Sequence, residues 1–410
     1  MTTPPDPLQF DARDPLAGSR DAFVSQDGLI YLCGNSLGPL PLATRDRLAD
    51  VVSREWGESL VRGWNSHDWI GLPHRVGDTI AGLVGAEAGE VIVADSTSAN
   101  LYKLAVSAMQ ARPGRKVVLS EPGDFPTDLY MLEGAVRTLG GERRLELRDA
   151  GAIEAALTED VAVLVLCHVH YKTAAVRDMA RLTKAAHAVG ALVIWDLSHS
   201  AGVIEVDLNG CGADLAVGCG YKYLNGGPGA PGFLFVARRH QEALVSPLSG
   251  WMGHAAPFAF VDDYRPAPGV ARFACGTPPI LSLSALEGGV ALSAAAGAPS
   301  IAAKARALGD LFIDRIGALA GDALELISPA EGQTRGGHVA FRHPDAYAIV
   351  QALMARGVVG DFRDPDVMRF GLSPLPLSYA EVARAADLLV EVVTSRAYVD
   401  PAYQVRAKVT

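Results

Sequence analysis

The sequence predicts an α/β fold, a mostly parallel sheet flanked by helices in a large domain, joined to a smaller α+β domain. Three observations carry this expectation. Between about 90 and 236, six short runs are apolar throughout, and most segments between them have helical periodicity. Strands without polar alternation are covered on both faces, the usual condition of a parallel sheet between helices. After Pro278-Pro279 the texture changes to a long Ala-rich helical stretch followed by short strands.

In chain order, residues 1–30 read as a polar, Pro-rich arm leading to the apolar Leu29–Cys33. Residues 41–63 look helical, with apolar positions at Leu48, Val51, Val52 and Trp56. The expected strands are Val91–Ala94, Lys116–Ser120, Val161–Cys167, Ala191–Asp196, Leu215–Cys219 and Phe233–Ala237, with Leu101–Ala111 and Met179–Val189 among the helices. A helical region follows over about 281–319, then two or three short strands and a last helix near 379–394. The chain divides into an N-terminal arm and helix joining the small domain (1–60), a large domain (61–276) and a C-terminal small domain (277–410).

A chain of 410 residues can bury one large core and a second lobe. Its net charge of −10 speaks against nucleic acid or an anionic membrane as partner, and leaves a small anionic ligand open. The five cysteines (Cys33, Cys167, Cys211, Cys219 and Cys275) lack CxxC spacing and are odd in number, which favours free thiols in a reducing compartment. The N-terminus has neither a basic n-region nor an apolar h-region, and the uncharged stretch of residues 288–303 is too short and too weakly apolar to span a bilayer. A cytoplasmic location is expected, with no membrane contact.

The chemistry centres on Lys222, in Gly220-Tyr-Lys-Tyr-Leu-Asn-Gly-Gly227, and on Asp196, which ends an apolar strand 26 residues upstream. A buried strand delivers the carboxylate to a sheet edge, and a Lys in a glycine-rich stretch can be approached closely by a ligand. The pair points to pyridoxal phosphate (PLP), with Lys222 in the Schiff base and Asp196 holding the pyridine nitrogen protonated. The glycines of residues 226–232 do not form a P-loop, and a GxGxxG begun at Gly218 fails at Tyr223. Thr97 and Ser98 fall at the start of a helix that follows a strand, where free N–H groups and the dipole favour a phosphate. Phe125, before a Pro-initiated helix, is placed to stack on a flat ring. His168 and His170 lack a third clustered ligand, so no metal is expected. His199 is within reach of the Asp196 carboxylate or of an oxygen on the ring. Arg369, in Met368-Arg-Phe-Gly371, reads either as an edge-strand salt bridge or as a bidentate clamp for an amino-acid carboxylate.

Seven segments together resemble the kynureninases. They are Tyr31-Leu-Cys-Gly-Asn35-Ser36-Leu-Gly38, Asp124-Phe-Pro-Thr-Asp128, His168-Val-His-Tyr-Lys-Thr173, Trp195-Asp-Leu-Ser-His-Ser-Ala-Gly202, Gly220–Gly229, Gly250-Trp251-Met-Gly-His254 and Met368-Arg369. The likeness runs from about 29 to 395. The blocks around Asp196 and Lys222 are shared with other fold-type I PLP enzymes, whereas Gly-Asn-Ser-Leu-Gly, Phe-Pro-Thr-Asp and Gly-Trp-x-Gly-His are more specific.

The resemblance implies a fold-type I homodimer with active sites at the interface. It implies hydrolytic Cβ–Cγ cleavage of L-kynurenine to anthranilate and L-alanine, in the kynurenine pathway of tryptophan degradation and NAD biosynthesis. By position, Lys222 is the Schiff-base lysine, Asp196 pairs with the pyridine nitrogen and Phe125 stacks on the ring, with Asp128, Thr173 and His199 around it. Thr97, Ser98, Tyr221 and Trp251 lie at the phosphate, and Tyr221 is also the candidate acid/base. Thr277 contacts the partner subunit's cofactor or substrate. Arg369 binds the α-carboxylate, and Ser36 with its neighbour Asn35 lies near the substrate's ring. Vertebrate-type members carry Asn where Thr277 stands, so kynurenine is expected to be preferred over 3-hydroxykynurenine. The rivals are another fold-type I lyase such as a cysteine desulfurase, which needs a mobile nucleophilic Cys where this chain has none after Cys275, and a non-catalytic PLP-binding protein.

Overall fold

The computed structural model describes residues 6–406; residues 1–5 of the expected arm and 407–410 of the tail lie outside them. At its centre is a seven-stranded sheet in the order Val91–Val93, Gly232–Val236, Leu215–Cys219, Leu192–Asp196, Val161–Cys167, Val117–Ser120, Arg144–Leu147. Four of its six pairings are parallel; Gly232–Val236 runs antiparallel to both neighbours. No helix separates Cys219 from Gly232, so the chain turns straight back there instead of crossing over.

The six expected strands are present. The seventh, Arg144–Leu147, lies on the sheet's edge with half-exposed side chains, and so lacks the apolar run that marks the others. Val193 and Trp195 point into one hydrophobic cluster with Val76, Ile80 and Leu286, while Leu192 and Ile194 point into another with Leu101 and Leu132. The sheet is therefore buried on both faces, as its uninterrupted apolar strands require.

The C-terminal part has its own cluster, around Phe312, Val339, Phe370 and Leu389. Its antiparallel sheet has the order Asp361–Arg363, Val367–Gly371, His338–Arg342, Glu325–Leu326. The N-terminal segment closes onto this part. Ile30–Tyr31 pairs in parallel with Val358–Val359, and the Asp11 carboxylate accepts the Tyr379 and Ala380 N–H groups at 2.7 and 3.0 Å.

The Ala-rich stretch is two helices, Ile280–Ala296 and Ala298–Ala320, bent by 85° at Gly297. Leu283, Leu286 and Val290 of the first belong to the large sheet's core, and Leu308, Leu311 and Phe312 of the second to the small one. Among the described residues no single helix is long and apolar enough to cross a membrane; this bent pair reaches that length and composition only when its halves are taken together.

Candidate active site

The expected site residues gather where the parallel strands end, on the side where a doubly wound sheet takes its ligands. Leu192–Asp196 delivers Asp196, Val161–Cys167 delivers Cys167, and Leu215–Cys219 leads into the Tyr221-Lys222 turn. Asp196 is buried, and its Oδ1 accepts the Ser198 N–H at 2.8 Å. The Cys167 thiol lies 3.8 Å from Asp196 Oδ2 and 3.5 Å from Asp128 Oδ2. Two buried carboxyls this close do not both ionise. Burial, and then the charge of Asp196, hold Asp128 well above the usual carboxylate range, so Asp128 keeps its proton beside Asp196.

Behind this pair, Asp124 accepts the Cys167 N–H at 3.2 Å and Arg177 Nη2 at 2.8 Å, and the same Arg177 nitrogen reaches Glu121 at 2.5 Å. Burial pushes Asp124 up to about 6 against the pull of Arg177. Asp124 and Arg177 thus buttress the loop that carries Phe125.

Lys222 Nζ lies 3.0 Å from His199 Nε2 and about 5.9 Å from the centre of the Phe125 ring. Burial, then the nearby Lys222 charge, drive His199 well below its ordinary value, so the imidazole is neutral and its Nε2 accepts from the amine. His199 Nδ1 is buried with no partner among the described residues. Of the two contacts expected for His199, the Asp196 carboxylate or a ring oxygen, the first is not among the described hydrogen bonds; Asp196 Oδ1 accepts the Ser198 N–H. Phe125 is partly exposed and meets Tyr171 edge-on at 5.4 Å. Thr173 is tied to His170 at 3.0 Å, and His170 to the Gly123 carbonyl at 2.9 Å, so Thr173 and Phe125 belong to adjoining loops. The Cys219 sulfur and burial both raise the Tyr221 phenol, which keeps its proton.

Thr97 and Ser98 open the helix Thr97–Gln110, with Ser96 as its N-cap. Their N–H groups have no intrahelical acceptor. Thr97 Oγ1 donates to the Gly218 carbonyl at 3.2 Å, which docks the helix start on the sheet. A Cβ at Gly232 would lie 2.7 Å from the Thr97 nitrogen, so the cradle floor has room only for glycine. Asp95, just before the cap, has a left-handed φ of 47° and is held there by Lys103 Nζ at 2.7 Å. Lys103 also donates to the Phe273 carbonyl at 2.7 Å, linking the cradle to the loop that carries Thr277. A cavity of about 640 Å³ lined by Leu37, Ser96, Tyr221, Cys275 and Thr277 adjoins the cradle. Trp251 is not brought to Thr97 and Ser98 by any described contact; its ring meets Phe258 at 5.6 Å.

The edge-strand expectation for Arg369 is corrected. Val367–Gly371 is an interior strand, and its register sets Arg369 opposite Asp361. Arg369 Nε and Nη2 reach the two Asp361 oxygens at 2.7 and 2.5 Å, Nη1 donates to the Tyr171 carbonyl at 2.5 Å, and Nη2 lies 3.2 Å from Ser36 Oγ. Ser36 donates to Asp361 Oδ2 at 2.5 Å, which seats its hydroxyl in the arginine cluster. Asn35 is fully buried, and neither of its amide atoms has a partner among the described residues.

Asp361, Arg363, Asp124, Arg177 and the buried His338, whose ring is 5.5 Å from His199, were not foreseen from the sequence. For the first two a signal existed: Asp361-Phe-Arg363 alternates charge with an apolar residue just before Met368-Arg369, which is the pattern of two paired strands sharing an ion pair.

These residues fit pyridoxal phosphate. One buried negative charge suits a protonated ring nitrogen, an amine beside a neutral imidazole suits the aldehyde end, and the open start of a 14-residue helix suits the phosphate.

Residues 301–389 match the family model described as the kynureninase C-terminal domain. Kynureninases of Burkholderia pseudomallei (strain 1106a) and of Pseudomonas fluorescens are each 45% identical over 416 residues, covering 100% of this chain and 100% of theirs. Among solved structures, the apo cysteine desulfurase of Thermococcus onnurineus NA1 superposes with a TM-score of 0.76 at 17% identity, covering 96% of this chain and 100% of that one. A C-DES variant with glycine covalently linked to its PLP cofactor gives 0.75 at 16% identity, over 91% and 99% of the two chains. At such identities the likeness concerns the fold, which is that of the fold-type I PLP enzymes.

Proposed function

The chain belongs to the kynureninase family, and from that premise we propose that the cluster around Lys222 and Asp196 is where it cleaves kynurenine. The protein is a PLP-dependent hydrolase that splits the Cβ–Cγ bond of L-kynurenine, giving anthranilate and L-alanine, a step of tryptophan degradation. The observation that carries the reading is the full-length 45% identity, together with an amine, a single buried carboxylate and an open helix start at one sheet edge. When bound, PLP supplies an electron sink conjugated to the substrate's amino group.

The protein's own groups do the rest. Thr97 and Ser98 take the phosphate, and Phe125 covers the ring, with Thr173 in the adjoining loop. Asp196, beside a protonated Asp128, holds the proton on the ring nitrogen. Lys222 anchors the cofactor and, once displaced, moves the substrate Cα proton; neutral His199, at 3.0 Å, accepts a hydrogen bond from its amine and fixes where it points. Tyr221 retains its phenol proton and serves as the acid at Cβ or at the carbonyl oxygen. The arginine cluster with Ser36 and Asn35 receives the substrate, Arg369 supplying charge for the α-carboxylate.

The same reading includes a cytoplasmic homodimer with no membrane or nucleic-acid partner. In its support, all five cysteines are free, and Trp56, Val61, Phe258 and Phe260 are large apolar side chains left exposed. Thr277 would then serve the site of the other subunit. The proposed domain division is an arm (1–60), a large domain (61–276) and a small domain (277–410), with the helix Ile280–Ala296 packing on the large core across that boundary. The desulfurase rival is disfavoured because Cys275 sits on a packed turn, its carbonyl accepting the Met252 N–H at 3.2 Å.

The test is incubation of the purified, PLP-loaded protein with L-kynurenine, following anthranilate fluorescence and alanine. Equal amounts of both products are expected. Sulfide released from cysteine, with no anthranilate from kynurenine, would replace this function with the desulfurase one.

A further inference from the structure

The strand His338–Arg342 of the small sheet brings an imidazole to the lysine turn. Its register sets His338 opposite Gly371, and the carbonyl of the preceding Gly337 accepts the Leu372 N–H at 2.9 Å and the Tyr223 hydroxyl at 2.8 Å. Tyr223 adjoins Lys222 in the chain. A Cβ at Gly337 would lie 2.2 Å from Val203 Cγ2, so the start of this strand is pressed against the large core with room only for glycine. His338 is fully buried, and neither of its ring nitrogens has a hydrogen-bond partner among the described residues.

The ring it faces is His199, with centroids 5.5 Å apart and planes tilted by 56°. His199 Nε2 is committed to the Lys222 amine at 3.0 Å, and its Nδ1 is buried without a partner among the described residues. Three unbonded nitrogens thus lie on two adjacent buried rings, where an unmade hydrogen bond is costly. Both rings are neutral. Burial and then the Arg369 charge push His338 down to about 3, with Asp361 and the Lys172 backbone opposing and His170 adding to the push. On His199, burial acts first, then Lys222, His338, Arg369 and Arg363. A neutral imidazole has one donor and one acceptor nitrogen, so two neutral rings complete each other. A small rotation of either ring, or one water between them, closes the gap.

We propose that His338 is a positioning residue for the chemistry at Lys222: it bonds to His199 Nδ1, fixes the plane of that ring, and so keeps Nε2 aimed at the lysine nitrogen. This rests on the kynurenine-cleaving function. An imidazole held through one nitrogen can turn about its side-chain torsions, whereas one held through both keeps its direction, and the bond at one nitrogen governs what the other can do. His338 acts through His199 and not on the substrate. The small sheet therefore contributes to the lysine as well as to the arginine cluster.

The test uses the PLP-loaded enzyme with His338→Leu, which removes both nitrogens, and with His338→Asn and His338→Gln, whose amides stand near the Nδ1 and Nε2 positions respectively. For His338→Leu we expect kcat for L-kynurenine to fall about fivefold or more, the scale of a lost hydrogen bond, with KM within about twofold of wild type. The kinetic isotope effect with Cα-deuterated kynurenine should rise, because proton movement by Lys222 becomes more limiting. One of the two amide variants should recover most of kcat. In a His199→Gln background His338→Leu should cost under about twofold, because the residue it acts through is gone. In enzyme carrying isotope-labelled histidine, the NMR signal of His199 Nδ1 should move in His338→Leu and return in the recovering amide variant. An equal kcat loss in both backgrounds, an unmoved Nδ1 signal, or a rise in KM at constant kcat would each overturn the proposal. If His338→Leu does not fold, the wild-type signal decides: a hydrogen-bonded Nδ1 upholds the proposal and a free one overturns it. A wild-type protein that forms no anthranilate fails the family function itself, whereas an active wild type whose kcat ignores His338 fails this inference alone.

Discussion

Asp196→Asn removes one negative charge and almost no volume. Asp128 beside it is held protonated, by burial and then by that charge. The Ser198 N–H, at 2.8 Å, can still reach the amide oxygen, so the turn after the strand should survive. What is lost is a charge-assisted hydrogen bond to the cofactor's ring nitrogen, worth about 1.5–3 kcal/mol. If that loss falls on the chemical step, kcat/KM for kynurenine drops by roughly one to two orders of magnitude. Cofactor affinity should fall less, because the phosphate cradle is untouched.

The neighbouring acid adds a second reading of the same experiment. With Asp196 neutral, Asp128 loses the charge that helps keep it protonated and can ionise in its place. Asp128→Asn together with Asp196→Asn should therefore cost more than the sum of the two singles, by about 1 kcal/mol or more in a double-mutant cycle on kcat/KM. The assay is anthranilate formation, with cofactor affinity from absorbance titration. Near-wild-type turnover in Asp196→Asn, or strict additivity in the cycle, would refute the assignment of one shared charge to this pair.

Lys222→Ala should abolish anthranilate formation and leave a cofactor that borohydride cannot fix to the chain; a mass-shifted chain after reduction would exclude Lys222 as the attachment point. Arg369→Lys should raise KM for kynurenine while cofactor affinity stays constant, because a lysine cannot hold both Asp361 oxygens; the reverse pattern would assign Arg369 to the cofactor. Thr277 lines the cavity beside Tyr221, and a substrate hydroxyl entering without a matched partner costs about 1–3 kcal/mol, so kynurenine should exceed 3-hydroxykynurenine in kcat/KM by roughly one to two orders, with Thr277→Asn narrowing the gap; a wild type that prefers the hydroxylated substrate would contradict it. His168 is pushed down to about 4 from 6.5 by burial, so below pH 6.5 the unfolded chain binds a proton that the folded one refuses until about pH 4. Stability should fall as the pH drops through that window, by up to about 3 kcal/mol from this group, and His168→Gln should flatten the urea midpoint against pH; an unchanged slope would show that His168 is not the group responsible.

Interior strands were legible because burial on both faces leaves them no polar residue, as in Val161–Cys167. Arg144–Leu147 was not, because an edge strand with half-exposed side chains carries no such run. The expected 281–319 helix was correct in type, but its break at Gly297 is set by which core each half joins, and that is a tertiary fact. In the site, Lys222, Asp196 and the Thr97-Ser98 helix start were readable because each follows an apolar strand within a few residues. For Asp361 and Arg363 only the alternation of charge around Phe362 was readable, because their meeting depends on strand register with Arg369 and on Ser36, which lies far away in the chain. Arg177 escaped for a similar reason: its partners Glu121 and Asp124 lie more than 50 residues earlier in the chain.

The closure of the two chain ends on each other has a consequence for how the protein is made. Gly38 donates its N–H to the Tyr221 carbonyl at 2.8 Å and comes so near the lysine turn that a Cβ there would meet the Lys222 carbonyl at 2.3 Å. The segment that brings it there is pinned by Ile30 and Leu32 bonding to Gly357 and Val359, and by Gly371 bonding back to Leu32. The segment around Ile30 to Ser36 thus waits for partners translated more than three hundred residues later. On the ribosome the large sheet can form while Ser36 still lacks Asp361 and Arg369. Catalytic competence therefore waits until the segment with Asp361 and Arg369 has emerged, and a product that stopped before it would retain Lys222 and Asp196 without a finished substrate pocket.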